Sequence, residues 1–188
     1  MKKRKANLLP IRIVGDKVLR QEAKKVEEID DEVLDFIQDL TYTMYETDGV
    51  GLAAPQVGSS LRIFVVDPYW YREGHTKEPY VFINPKIVEL EGETEAEEGC
   101  LSLPGIFEKV PRAEKVVVEA TNPKGERKRY TAEGLFAITI QHENDHLDGI
   151  LFVDKVPKLR KMLIQRKINE LKKTTDENGV NIAANEAE

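Results

Sequence analysis

The chain has 188 residues, 40% of them apolar and 33% charged, which suits one domain with its own core and the ordinary balance of a soluble protein. No apolar run reaches the ~18 residues needed to span a bilayer. The basic start Met1–Ala6 meets Pro10 before a secretory leader could form, so the expected compartment is the cytoplasm, with no membrane partner. A single cysteine, Cys100, excludes an intrachain disulfide, and a net charge of −6 argues against nucleic acid as the primary substrate.

Residues 1–9 read as a loosely held basic extension, residues 10–173 as a single domain, and residues 174–188 as a polar tail expected to be frayed. Asp30 to Thr47 has the pattern of an amphipathic helix, with Val33, Ile37, Leu40 and Met44 recurring at helical spacing and Asp30, Asp31 and Glu32 at the end that favours negative charge. Gly49 to Gln56 follows as a small-residue loop. Leu61 to Asp67 reads as a strand from its β-branched content, and Tyr80 to Asn84 as another that Pro85 stops. Ile87 to Thr94 is a further Glu-rich strand. Lys115 to Ala120 and Glu126 to Tyr130 flank the turn Asn122–Gly125 and form a hairpin.

Gly134 to Leu147 is a second helix that Gly149 ends, and Pro157 opens a third running to Lys173. Leu159, Leu163 and Leu171 are expected to pack this last helix on the body. Its span from Lys158 to Lys173 holds seven basic residues and one acid. Without repeats or a linker, the order of elements predicts an α+β fold. Mainly antiparallel strands would pack around a buried helix at Gly134–Leu147, with an amphipathic helix at the C-terminal end.

The strongest chemical signal is His142-Glu143-Asn144-Asp145-His146. On a helix, positions i and i+4 share a face, so two imidazoles can hold one metal while the Glu beside the first reaches a water as general base. The apolar turns Leu135–Ile140 bury this helix, and buried imidazoles and carboxylates need partners. A catalytic metal takes a third protein ligand. The slot used by the long zinc-protease motif holds Phe152, and Glu170 is better matched to its basic neighbours. Cys100, in Glu97-Glu-Gly-Cys-Leu-Ser-Leu-Pro104, is the remaining candidate; a small buried apolar residue is the plainer alternative there. Gly49–Gln56 also fits G-x-G-x-x-A, but it follows a helix, and Pro55 and Gly58 leave no room for a crossover helix, so a dinucleotide site is rejected. A zinc endopeptidase, or an RNA-binding or structural metal protein built around the basic helix, would use some of the same residues.

Three segments together, GVGLAAPQ at 49–56, EGCLS at 98–102 and QHENDH at 141–146, with Val110-Pro-Arg112 after the cysteine, resemble the motifs of the peptide deformylases over residues 10 to 170. The resemblance implies hydrolysis of the formyl group from the initiator methionine of new chains, with N-formyl-methionyl peptides as substrates. It implies Cys100, His142 and His146 as ligands of one divalent ion, Fe²⁺ first, with Zn²⁺, Ni²⁺ or Co²⁺ able to occupy the site; the donor set by itself suggests zinc. Glu143 is implied as general base and acid, and the Leu101 backbone N–H and the Gln56 amide as donors to the oxyanion. Counting back along the helix from His142 puts Thr139, Ile138 and Leu135 on the ligand's face, where they and Val50 and Gly51 would line a slot for the methionine side chain or simply pack the core. Glu98, Arg112 and Asp145 are expected to form an ion-pair network behind the ligands. The basic last helix is either a solvated face or a contact with the ribosome.

Overall fold

The computed structural model describes residues 4–176 and 179–181. Asp30 starts the first helix, α1 (Asp31–Glu46): its side chain accepts a hydrogen bond from the Val33 N–H at 2.9 Å, satisfying a donor that has no partner inside the helix. The stripe Val33, Ile37, Leu40 and Met44 is buried, each side chain contributing about 1.5–3 kcal/mol of transfer free energy. It lies against one face of an antiparallel five-stranded sheet formed by β1 (Gly51–Ala53), β2 (Ile63–Val66), β3 (Tyr80–Glu91), β6 (Lys115–Thr121) and β7 (Arg127–Glu133) in that spatial order. The pleat divides β2: Ile63 and Val65 face α1, while Phe64 and Val66 pack with Phe82, Val118 and the second helix, α2 (Gly134–Leu147). Both faces of the sheet are covered, which is why β2 is buried at every position.

In a separate two-stranded ribbon, β4 (Thr94–Gly99) pairs antiparallel with β5 (Phe107–Arg112); Cys100 directly follows β4, and Arg112 is the last residue of β5, opposite Thr94. The third helix, α3 (Lys158–Lys172), closes a further apolar cluster with Leu103, Ile106, Val110 and Phe152. Among the described residues no helix is long and apolar enough to cross a membrane. The fold is α+β with mainly antiparallel pairing.

Several local expectations give way to longer-range contacts. The strand expected to stop before Pro85 runs on to Glu91. Its register against β6 shifts between Ile83 and Lys86, where Asn84 adopts a left-handed φ of 49°, so Pro85 sits in a bulge and needs no ladder N–H. The loop expected at 49–56 contains the three-residue β1 and a short 3-10 turn, Ala54–Val57. The last helix does not pack through Leu159 and Leu163, which are 80% and 81% exposed; Ile164 and Ile168 are buried instead, with Leu171 partly covered. Neither described end of the chain is loose. The Asn7 N–H donates to Asp39 at 2.7 Å and the Leu9 N–H to Thr43 at 2.9 Å, so the described part of the expected N-terminal extension, residues 4–9, is tied to α1. Beyond α3, the buried Asn181 donates to the Leu171 carbonyl at 3.1 Å and the Thr174 hydroxyl at 2.7 Å, and its carbonyl accepts from Ile13 N–H at 3.0 Å. Residues 1–3 of the expected extension and 177–178 and 182–188 of the expected tail lie outside the described residues.

Candidate metal centre and substrate cavity

Helix α2 is fixed before it presents its polar face. The Gln141 side chain accepts from the Ala113 N–H at 2.9 Å and donates to the Ala113 carbonyl at 2.9 Å, locking the helix to the segment that joins β5 and β6. One residue later, His142 turns toward the ribbon, and its Nδ1 lies 2.8 Å from Glu98 Oε2. His146 follows one turn on, with its Nε2 3.2 Å from His142 Nε2 and 3.3 Å from Cys100 Sγ. The three donor atoms lie within 4.8 Å of one another. Two imidazole nitrogens and a sulfur face each other favourably only around a cation or a shared proton, and one thiolate with two imidazoles is a donor set that divalent transition metals take. Phe152, in the slot that a third histidine would occupy, is buried and its ring stacks on His142 at a centroid distance of 6.0 Å.

The charges behind these three candidate ligands form a chain. Arg112 is 4% exposed; its Nε and Nη2 donate to the two oxygens of Glu98 at 2.6 and 2.9 Å, and its Nη1 donates to Asp145 Oδ2 at 2.6 Å. Burial by itself would raise the Glu98 pKa, but the bonds from Arg112 and His142 outweigh it and hold the carboxyl down to about 2. The ionised Glu98 accepts from His142 Nδ1–H and leaves Nε2 free to serve as a ligand. Sequence reasoning missed one member: Lys155 Nζ lies 2.7 Å from Asp145 Oδ2, beyond a turn that no local pattern resolves.

The imidazoles titrate in opposite directions. Burial disfavours a proton on either ring, yet Cys100 and Glu98 lift the His142 pKa well above the ordinary histidine value. At His146 burial is reinforced by the charges of His142 and Arg112, and the pKa falls well below it. Burial also pushes Glu143 up to about 7; His142 and Arg112 pull against that shift, while Glu98 and Asp145 add to it. Glu143 Oε2 is buried without a hydrogen-bond partner.

Glu143, His142 and Cys100 border a cavity of about 760 Å³. Val50, Gly51, Leu135, Ile138 and Thr139 line the same cavity, so the side chains obtained by counting along the helix and from the glycine-rich segment do meet. Gln56 and Leu101 line it too. Gln56 is buried; its Oε1 accepts from the Ala53 N–H at 2.9 Å, which turns Nε2 toward Cys100 Sγ and Ser102 Oγ, each at 3.4 Å. Glu98 reaches the wall, whereas Arg112 and Asp145 stand behind it. Part of the wall was not legible in the sequence: Ile13, Leu171 and Asn181 reach the cavity only because the two ends of the chain fold back together.

A sequence model of the polypeptide deformylases matches residues 8–162. The chain belongs to that family. The peptide deformylase of Fusobacterium nucleatum is 51% identical over 168 residues, which are 88% of this chain and 93% of that protein. That of Neisseria meningitidis is 48% identical over 89% of this chain and 98% of its own. Among solved structures, the peptide deformylase of Legionella pneumophila superposes with a TM-score of 0.81 at 44% identity, covering 89% of this chain and 96% of that one. That of Thermus thermophilus superposes with a TM-score of 0.80 at 42% identity over 88% and 98%.

Proposed function

We propose that this deformylase-family chain removes the formyl group from the N-terminal methionine of newly made proteins, converting an N-formyl-methionyl peptide and water to formate and the free amine. The observation that carries the site assignment is the convergence of Cys100 Sγ, His142 Nε2 and His146 Nε2 beside a buried carboxylate at the wall of one cavity. Cys100, His142 and His146 would hold one divalent ion, which when bound would supply Lewis acidity toward water and the formyl carbonyl. We assign iron(II), with Zn²⁺, Ni²⁺ or Co²⁺ able to take the same donors. Glu143 accepts the proton of the attacking water and returns it to the departing amine; a carboxyl lifted toward neutrality by burial is suited to both transfers. Gln56 Nε2 and the Leu101 N–H donate to the oxyanion, and the Ala53 bond to Gln56 Oε1 sets that amide in place before the reaction. Leu135, Ile138, Thr139, Val50 and Gly51 surround the methionine side chain and hold the formyl group in register with Glu143. Glu98, held by Arg112 and Asp145, orients His142 through Nδ1 so that Nε2 faces Cys100 and His146.

Residues 10–173 carry this activity, and Asn7 and Asn181 in the flanking segments bond to the same body. The compartment is the cytoplasm. Helix α3 offers the ribosome a mixed surface: Leu159, Met162 and Leu163 are 80, 66 and 81% exposed, among Lys158, Arg160, Lys161 and Arg166. Such a face suits an anionic assembly with apolar patches, and its binding should weaken as salt rises.

Formate release from a formyl-Met tripeptide by the iron-loaded protein, beside proteolysis of casein, tests the activity. Release of formate without casein cleavage is expected; casein cleavage without formate would return the site to an endopeptidase.

A further inference from the structure

The segment between β2 and β3 contains the only tryptophan of the chain, Trp70, and no motif described above uses it. Its Nε1–H donates to the Gly49 carbonyl at 2.9 Å. The next carbonyl, that of Val50, accepts from the backbone N–H of Asp67 at 2.9 Å, and Gly51 then pairs with Val66. Three consecutive residues of the cavity wall are therefore held from one side, Gly49 and Val50 by this segment and Gly51 by the end of β2.

The indole itself is held from below. Tyr45 meets it edge-on at a centroid distance of 5.4 Å, and the Lys77 ammonium stands 4.5 Å from the Tyr45 ring and 4.9 Å from the Trp70 ring. Tyr45 is anchored in turn, since its hydroxyl donates to Asp67 Oδ2 at 2.7 Å and the Glu78 N–H donates to the same oxygen at 2.9 Å. An indole N–H is a donor only, so with the ring fixed it can serve one acceptor in one direction. The wall needs such a tie. Asp48 has a left-handed φ of 55°, Gly49 and Gly51 have little intrinsic stiffness, and β1 is three residues long at the edge of the sheet.

We propose that Trp70 is a positioning residue for substrate: through the Gly49 carbonyl it fixes the Gly49–Gly51 wall so that the formyl-Met peptide meets a preformed surface. This rests on the assignment of the cavity as the substrate site. In Trp70→Phe an aromatic ring remains, smaller than the indole, while the donor is lost. KM for a formyl-Met tripeptide should rise about three- to tenfold, the size of one hydrogen bond, with kcat changed less than twofold. An unchanged KM in Trp70→Phe with only a lower melting temperature would overturn the proposal. Ile138→Phe separates the two levels. If it raises KM and Trp70→Phe does not, the clamp alone is wrong; if neither moves KM, the cavity is not the substrate site.

Discussion

Gly51→Ala adds one carbon to the wall of the cavity, and its consequence can be worked out from the packing. Gly51 does not adopt a left-handed φ, so alanine is allowed by the backbone. Its Cβ would fall 2.6 Å from Glu143 Oε1, 2.8 Å from Thr139 Cγ2 and 2.9 Å from Glu143 Cδ, where ordinary contact begins at 3.4 Å. The Glu143 carboxylate must retreat by roughly 0.8 Å, and a misplacement of ~1 Å at a reacting group costs about 100-fold. That corresponds to about 2.7 kcal/mol of transition-state stabilisation. Steady-state formate release from a formyl-Met tripeptide should show kcat down by about two decades, with metal content unchanged because the three ligands are untouched. Gly125→Ala is the control. Its φ is 80° with nothing within 4 Å of the added carbon, in a turn far from the cavity, so it should lose about 1–2 kcal/mol of stability and no kcat. A Gly51→Ala protein with normal kcat would refute the close packing of Glu143 against the wall.

Gln56→Glu keeps the oxygen that accepts from Ala53 but replaces the donor beside Cys100 with a second oxygen, so kcat should fall about 10²–10³-fold; near-normal turnover would remove Gln56 from the oxyanion site. Ile138→Phe should raise KM for formyl-Met substrates while leaving metal affinity intact, measured by initial rates and metal titration; unchanged KM would count against the methionine slot. Arg112→Met strips the cation from two buried carboxylates and should cost about 3–5 kcal/mol in urea unfolding near neutral pH. The same network sets an acid limit in the metal-free protein. Glu98 has a folded pKa of about 2, below its ordinary 4.5, so it contributes about 3 kcal/mol above pH ~4.5 that is lost as pH falls toward 2. Arg112→Met should flatten that loss, and superimposable acid-unfolding curves for the two proteins would contradict it.

What the sequence disclosed follows from how local each signal is. His142, Glu143 and His146 share one turn of helix, and the cavity-lining residues Leu135, Ile138 and Thr139 are set by the same periodicity, so both groups could be read without knowing the fold. The place of Glu98 and Arg112 depends on the β4–β5 pairing, yet their nearness to the cysteine motif was enough to name them. Lys155 and Trp70 carry no such marker, because their partners, Asp145 and the Gly49 carbonyl, are reached through turns whose geometry is tertiary. Helix α3 was misread because apolar residues occur around much of its circumference; which stripe goes inward is decided by Leu103, Ile106 and Phe152 on the body, not by spacing. Pro85 broke a strand rule only because a bulge was there to receive it.

Substitution of cobalt(II) tests the metal site most directly. The protein loaded with one equivalent of Co²⁺ should show a thiolate-to-cobalt charge-transfer band, and Cys100→Ala should lose that band and most of its metal affinity. Stoichiometric cobalt binding with no such band in the wild type, or with a spectrum that Cys100→Ala leaves unchanged, would contradict Cys100, His142 and His146 as the ligand set.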